Sequence, residues 1–178
     1  MIGLSSAVKY EPKGHVLIIA PWNYPFLLAI NPLIYAIGAG NIVIVKPSEI
    51  AQHTSAFIKK MIDELFPSNE IKVIEGGIKE TTHLLQKKFN HIYFTGSPRV
   101  GKIVMEASAK HLSSVTLELG GKSPVIIDES TNLKTIAKKI AWAKTLNCGQ
   151  TCIAPDYILV KKEVKNAFIE KYLSLIHI

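Results

Sequence analysis

The sequence predicts an α/β fold, with a doubly wound parallel sheet followed by the first part of a second α/β domain. Short, continuous apolar runs alternate with helical patterns along the chain, as they do where helices cover both faces of a parallel sheet. The 178 residues are 48% hydrophobic, which is ample for a buried core. Residues 16–45 carry no charge, but their prolines, asparagines and glycines indicate strands and a short helix rather than a membrane span.

Five apolar runs are predicted to be the strands of the first sheet. They cover residues 16–20, 41–45, 71–75, 91–95 and 115–119. Helical patterns connect several of these runs, and parallel strands need crossovers of that kind. The order of elements therefore predicts the doubly wound arrangement.

Two helices of the first sheet can be placed from their patterns. One is expected at residues 28–37, where two glycines end it, and the other at residues 51–66, where Pro67 ends it. Four apolar residues of the second helix share one face, which we expect to cover the sheet: Phe57, Met61, Ile62 and Leu65.

After a glycine pair at positions 120 and 121 the pattern restarts as a second unit. Its predicted elements are a strand at 124–128, a helix at 132–145, a loop with both cysteines, a strand at 157–160 and a final helix. The turn at residues 118–122 is the expected boundary between the two units.

Charge and cysteine content exclude several classes of function. The formal net charge is +7, but the basic residues are scattered, and aromatic residues do not interleave with them as on a nucleic-acid surface. We therefore expect solvated helix faces and no nucleic-acid partner. The two cysteines are too few for a disulfide framework and lack a second ligand pair, so we expect no metal. With no export signal, these features favour the cytoplasm.

A candidate phosphate-binding turn follows the fourth predicted strand. Gly96 and Gly101 are separated by four residues, and a helix begins near Arg99, so its N–H groups and dipole would face a pyrophosphate. This spacing is neither the three-glycine dinucleotide fingerprint nor a Walker A loop. A plain strand-to-helix turn also explains the glycines, and for this motif alone it is the preferred interpretation.

The second predicted strand ends in a polar segment at the carboxyl edge of the sheet, where ligands of such folds bind. Glu49 could bind ribose hydroxyls there, and Lys46 could bond a ribose or phosphate oxygen. The alternative is a polar turn before a helix, with Ser48 as its N-cap. The residues alone leave both interpretations open.

Three side chains supply a nucleophile, a base and an oxyanion donor. Cys152 lies in a bend of small residues that would expose its sulfur, although a lone cysteine is usually a buried hydrophobe and Cys148 competes with it. Glu118 ends an apolar strand, where burying a carboxylate is costly without a task, which favours a general base. Asn23 lies between two prolines and either donates to an oxyanion or caps the turn.

Taken together, these segments resemble the aldehyde dehydrogenase superfamily over nearly the whole chain. Its motifs occur here in the family's order: Pro-Trp-Asn-Tyr-Pro, Val-Lys-Pro-Ser-Glu, Phe-Thr-Gly-Ser, Glu-Leu-Gly-Gly-Lys and Gly-Gln-Thr-Cys. The stretch Asn-Cys-Gly-Gln-Thr-Cys-Ile-Ala-Pro-Asp-Tyr is similar to class 3 members, whose substrates include fatty and aromatic aldehydes.

The resemblance implies a role for each candidate residue. It makes Cys152, rather than Cys148, the nucleophile, Glu118 the general base, and Asn23 the oxyanion donor together with the backbone N–H of Cys152. It also implies a set of cofactor contacts: Trp22, Lys46, Glu49, Gly96, Ser97, Gly101 and Leu119.

The implied reaction is the NAD(P)-dependent oxidation of an aldehyde to a carboxylic acid. The Cys152 thiolate adds to the aldehyde, the thiohemiacetal passes hydride to the nicotinamide, and Glu118 activates the water that hydrolyses the thioester. Glu49 favours NAD because a carboxylate repels a 2′-phosphate, while a swinging side chain would still admit NADP.

By the same resemblance, residues 1–117 form a Rossmann-like NAD(P)-binding domain without its N-terminal part. Residues 118–178 then begin a catalytic domain that carries the nucleophile loop. Full-length members of this kind are expected to be homo-oligomers, here a dimer. We expect the 178-residue polypeptide to be a truncation that binds cofactor poorly and turns over little or nothing.

Two alternatives stay open. An acylating or semialdehyde-specific relative would transfer the acyl group to coenzyme A and would not need Glu118. A non-enzymatic or degenerate NAD-binding protein of the same fold would not need Cys152.

Overall fold

The computed structural model describes Gly3 and residues 5–176, and it divides into two compact units between Leu119 and Gly120. None of the helices in this part of the chain has the length and apolar character that a bilayer crossing requires. Each unit is an α/β arrangement with parallel strands, as the sequence predicts.

The first unit alternates strands and helices. Its strands are β1 (His15–Ile19), β2 (Ile42–Lys46), β3 (Ile71–Val73), β4 (His91–Thr95) and β5 (Ser114–Glu118). Its helices are α1 (Leu27–Gly38), α2 (Gln52–Leu65), α3 (Ile78–Leu85) and α4 (Pro98–Ala109), with a short 3₁₀ helix at Glu49–Ala51.

The five strands of the first unit are all parallel and lie in the order β3-β2-β1-β4-β5. The chain builds outward from β1 to β3 on one side, then crosses over and builds from β4 to β5 on the other. The order therefore reverses between β1 and β4, where Ile18 pairs with Tyr93. Ligands of open α/β sheets bind beside the carboxyl ends of strands at such a reversal.

Helices cover both faces of this sheet, which confirms the doubly wound prediction. On one face, α1 and α2 pack against alternate residues of the central strands in a core that includes Ile18, Val45, Leu33 and Ile58. On the other face, α3 and α4 pack in a second core. The alternation of strand side chains between two cores explains why β1 and β2 read as continuous apolar runs.

The second unit is a single β-α-β-α segment. It contains β6 (Ser123–Ile127), α5 (Leu133–Thr145), β7 (Pro155–Val160) and α6 (Lys162–Ile176), with a 3₁₀ helix at Leu146–Gly149. The two strands are parallel, and α5 and α6 cover one face of their sheet around Ile127 and Phe168. On the other face, Ile126 is 76% exposed and Leu159 is 54% exposed.

The structure differs from the prediction in two helices. The α3 helix was not predicted, and its signal is a glutamate three residues after a glycine, since the Glu80 carboxylate accepts the Gly77 N–H at 2.8 Å. The predicted buried face of α2 is partly wrong, because Phe57 and Leu65 are exposed while Ile58 lies at the centre of the contact. The helix is rotated so that its small Ser55 also faces the sheet.

Candidate functional site

Most of the candidate residues lie at one edge of the first unit. Because its five strands are parallel, their carboxyl ends meet at a single edge, which we call the carboxyl edge. Asn23 follows β1, Lys46 ends β2, Gly96 follows β4 and Glu118 ends β5. Cys152 lies in the second unit, in the loop between α5 and β7.

Lys46 and Glu49 form an ion pair at the carboxyl edge. The Lys46 ammonium lies 2.7 Å from the Glu49 carboxylate, and the lysine side chain is only 4% exposed while the glutamate side chain is 47% exposed. Burial raises the pKa of the Glu49 carboxyl, but the hydrogen bond and charge of Lys46 and the Glu49 N–H outweigh burial and hold that pKa below its ordinary value. Glu49 therefore presents a charged oxygen acceptor to solvent at neutral pH.

The turn after β2 is held firmly by Ser48. Its hydroxyl accepts the N–H of Ile50 at 3.3 Å, which confirms the predicted N-cap, and its carbonyl accepts the buried Ser55 hydroxyl at 2.7 Å. The cap and the ion pair occur together, so the turn fixes the backbone from which Glu49 projects. The two interpretations of this segment that the sequence left open are thus compatible.

A small cavity opens beside Glu49, between the ends of β2 and β3. Its volume is about 220 Å³, and we call it the β2–β3 cavity; it is lined by Pro47, Ser48, Glu49, Gln52, Ser55, Glu75, Gly76 and Gly77. Gly76 has a φ of +133°, and a Cβ there would overlap the Glu80 side chain. A Cβ on Gly77 would lie 4.0 Å from Cγ of Glu49, so the glycine pair leaves room facing that carboxylate.

The turn between β4 and α4 has the geometry of an N-capped helix start. The Ser97 hydroxyl accepts the Val100 N–H at 3.3 Å, and Pro98 occupies the first turn. A Cβ on Gly96 would lie 2.5 Å from the Phe94 ring, and one on Gly101 would lie 3.0 Å from Leu119. Packing alone thus accounts for both glycines, as the plain-turn interpretation requires, and the helix N-terminus still lies at the carboxyl edge.

The N–H of Gly96 also donates to the Glu118 carbonyl at 2.9 Å, so β5 ends beside the start of α4. The Glu118 side chain is exposed. The expectation of a costly buried carboxylate at the end of β5 was therefore wrong. Its charge is nonetheless felt nearby, because burial and then the Glu118 carboxylate raise the pKa of Tyr93. At the end of β1, Trp22 is 46% exposed and Asn23 is partly buried.

In the second unit, the loop before Cys152 contains two strained residues. Asn147 and Cys148 have φ values of 49° and 55°, a left-handed conformation that costs a non-glycine residue roughly 1–2 kcal/mol. Both cysteines are exposed, as the small-residue bend predicts. Strained backbone of this kind concentrates at functional sites, although strain by itself assigns no role.

Two contacts that the sequence did not reveal connect the start of β6 to the Cys152 loop and to β7, which follows that loop. A Cβ on Gly121 would lie 2.6 Å from the Cys152 carbonyl oxygen, so only glycine allows this approach. Beside it, the Lys122 ammonium lies 3.3 Å from the Asp156 carboxylate. The Gly-Gly-Lys segment therefore contacts both the Cys152 loop and the start of β7.

The groups at the carboxyl edge fit a dinucleotide. Glu49 offers a charged acceptor for ribose hydroxyls, the β2–β3 cavity leaves room opposite that acceptor, and the start of α4 offers N–H groups for phosphate. In the described part of the chain, no group of three or more histidines, cysteines, aspartates or glutamates could hold a metal ion.

Comparison with known proteins finds a matching family model and similar sequences from the same family. Residues 3–177 match the family model described as aldehyde dehydrogenase family. Aldehyde dehydrogenase family 3 member A2 of Pongo abelii is 52% identical over 164 residues, which cover 92% of this chain and 34% of that protein.

Two solved structures share the fold closely. The substrate-bound state of Staphylococcus aureus AldH is 52% identical with a TM-score of 0.89, over 93% of this chain and 36% of that one. An aldehyde dehydrogenase of Mycobacterium tuberculosis complexed with NAD⁺ is 30% identical with a TM-score of 0.88, over 93% of this chain and 35% of that one. The chain thus spans about a third of the length of the proteins it matches.

The contact between Gly121 and the Cys152 backbone predicts that Gly121→Ala displaces the Cys152 loop. The added methyl group has no room beside a carbonyl oxygen, and we expect the unfolding free energy of the second unit to fall by about 1–3 kcal/mol. Hydrogen–deuterium exchange of the β6 and β7 amides measures this loss. Gly120→Ala is the matched control, because a Cβ there meets nothing within 4 Å. Equal exchange in the two variants would contradict the inference that only glycine fits at position 121.

Proposed function

The chain belongs to the aldehyde dehydrogenase family, and on that premise we propose that it carries the cofactor-binding unit and the nucleophile of an enzyme that oxidises aldehydes to carboxylic acids. One observation carries the proposal. Asn23, Lys46, Gly96 and Glu118 each come from the end of a different strand, and the sheet brings them to the carboxyl edge where the strand order reverses.

In this proposal the first unit binds NAD(P), which supplies an acceptor for the substrate's hydride. Glu49 accepts hydrogen bonds from ribose hydroxyls, with Lys46 fixing its carboxylate, and the start of α4 at Ser97 receives the pyrophosphate. Trp22 and Leu119 border the same edge. The charged, half-exposed Glu49 favours NAD, and NADP remains a candidate cofactor.

Cys152 is the proposed nucleophile. Its sulfur is exposed, and as a thiolate it forms a bond to the aldehyde carbon while the carbonyl electron pair moves to oxygen. The Asn23 amide and the Cys152 N–H donate hydrogen bonds to the oxyanion that develops. When the carbonyl re-forms, the carbon gives up its hydride and Cys152 carries a thioester.

Glu118 is the proposed general base for the second half of the reaction. Its exposed carboxylate takes a proton from water, and the resulting hydroxide attacks the thioester carbon. The C–S bond then breaks, which releases the carboxylic acid and restores the Cys152 thiolate. An exposed position suits this role, since water must reach the carboxylate.

For the protein of which this chain spans a part, we propose a fatty or aromatic aldehyde as substrate, a homodimeric assembly and a cytoplasmic site of action. The class 3 pattern around Cys152 and the identity with a family 3 member support the substrate class. A working thiolate requires a reducing compartment, and both cysteines are free.

The role of Cys152 predicts that Cys152→Ala, made in the longest polypeptide that the gene encodes, abolishes aldehyde-dependent reduction of NAD(P) and hydrolysis of p-nitrophenyl acetate. The methyl group cannot form the bond to the carbonyl carbon. Cys148→Ala is the matched control and retains both activities. Loss of activity in the Cys148 variant alone would assign the nucleophile to Cys148, and full activity in both would favour a non-enzymatic protein.

The role of Glu118 predicts that Glu118→Gln separates the two halves of the reaction. Rapid mixing should still show a burst of reduced cofactor. Steady-state turnover should fall by roughly 10²–10⁴-fold, because hydrolysis of the thioester is slow when no base activates water. Glu170→Gln removes an exposed carboxylate from α6 and should leave turnover unchanged. Unchanged turnover in the Glu118 variant with coenzyme A present would favour an acylating enzyme instead.

A further inference from the structure

The β2–β3 cavity has a second carboxylate that the proposed function does not use. Glu49 projects from the end of β2 on one side, and Glu75 follows the end of β3 on the other. Both side chains line the same cavity of about 220 Å³, and Glu75 is exposed. A ribose held by Glu49 would therefore share the cavity with the Glu75 carboxylate.

None of the residues that line this cavity is a lysine or an arginine. The nearest buried cation, Lys46, already lies 2.7 Å from the Glu49 carboxylate. A 2′-phosphate on the ribose needs a cationic partner, commonly an arginine, and here it would meet carboxylates instead.

The lysines on the far side of Glu75 do not supply a free cation for a 2′-phosphate. Lys59 and Lys60 of α2 line a neighbouring depression that Glu75 also borders. Lys59 lies 2.6 Å from Asp63, and Lys60 lies 3.9 Å from Glu64. Each of these cations is thus paired with a carboxylate one helical turn away.

The small size of the cavity strengthens the repulsion between the two carboxylates and a phosphate. Its volume is below the roughly 300 Å³ at which pockets for drug-sized ligands begin, so it holds little more than a sugar. Gly76 and Gly77 form the wall of this cavity that faces Glu49. A phosphate group therefore has no position in the cavity far from both carboxylates.

We propose that Glu75 is a specificity-determining residue, which acts with Glu49 to exclude a nucleotide that carries a 2′-phosphate. Glu49 both binds the ribose and repels the phosphate, whereas Glu75 only repels it. Removal of the Glu75 charge should therefore relax the specificity without weakening the binding of the unphosphorylated nucleotide. This inference rests on the proposed cofactor site.

The test compares 5′-AMP with adenosine 2′,5′-bisphosphate, which differ only in the 2′-phosphate. Both are titrated into the ¹⁵N-labelled 178-residue chain, and NMR shifts of the backbone amides after β2 and β3 give the dissociation constants even for weak binding. The wild-type chain should prefer 5′-AMP. Glu75→Gln should lower that preference by about fivefold to tenfold, the effect of one charge a few ångströms from a phosphate, and leave the 5′-AMP constant unchanged.

Glu70→Gln is the matched control, since Glu70 is exposed and lies just before β3, at the opposite end of the strand that Glu75 follows. It changes the net charge equally and should leave the preference unaltered. Equal shifts in the two variants, or no shift in the Glu75 variant, would overturn the role of Glu75 while the cofactor site stands. Absence of shifts after β2 and β3 with either nucleotide would overturn the cofactor site, and this inference with it.

Discussion

The reversal of strand order between β1 and β4 is the constraint on which the site depends. Because all five strands of the first unit are parallel, each one ends at the same edge, and residues far apart in sequence become neighbours there. The chain passes from β1 to β2 and β3 on one side and then returns through α3 to β4 on the other side of β1, which opens a crevice at the reversal. Asn23 and Gly96 follow the two strands that border it.

Local contacts then fix what the edge presents. Ser48 caps the turn after β2, and the buried Lys46 holds the carboxylate of Glu49 in its charged form. In the second unit, Gly121 allows the backbone of the Cys152 loop to approach the start of β6. The Ser48 cap and the Lys46 ion pair constrain Glu49, and the Gly121 contact constrains the backbone at Cys152. Constraints of this kind preorganise a site.

Much of this could be predicted from the sequence, because buried parallel strands are continuous apolar runs. Within the residues that the structure describes, all seven strands and five of the six α-helices were placed, with ends that differ by a few residues. The exception, α3, is short, and a glycine pair precedes it, so its pattern suggested a loop. The face of α2 was partly wrong because the sheet, and not the helix, decides which side is buried.

The candidate site residues were named from motifs, but their environments could not be predicted from the sequence. No pattern indicates that Glu118 is exposed, that Gly121 contacts the Cys152 carbonyl, or that Glu75 shares a cavity with Glu49. These facts arise from contacts between segments that are distant in sequence, and only the fold brings such segments together.

The most direct test of the cofactor site is a crystal structure of this chain grown with NAD⁺ at high concentration. We expect a pyrophosphate at the start of α4, beside Ser97, and an adenosine ribose on the Glu49 carboxylate. Both groups would then lie at the carboxyl edge of the first sheet. A dinucleotide bound at the opposite edge, or on a helical face away from β1 and β4, would contradict the proposed cofactor site.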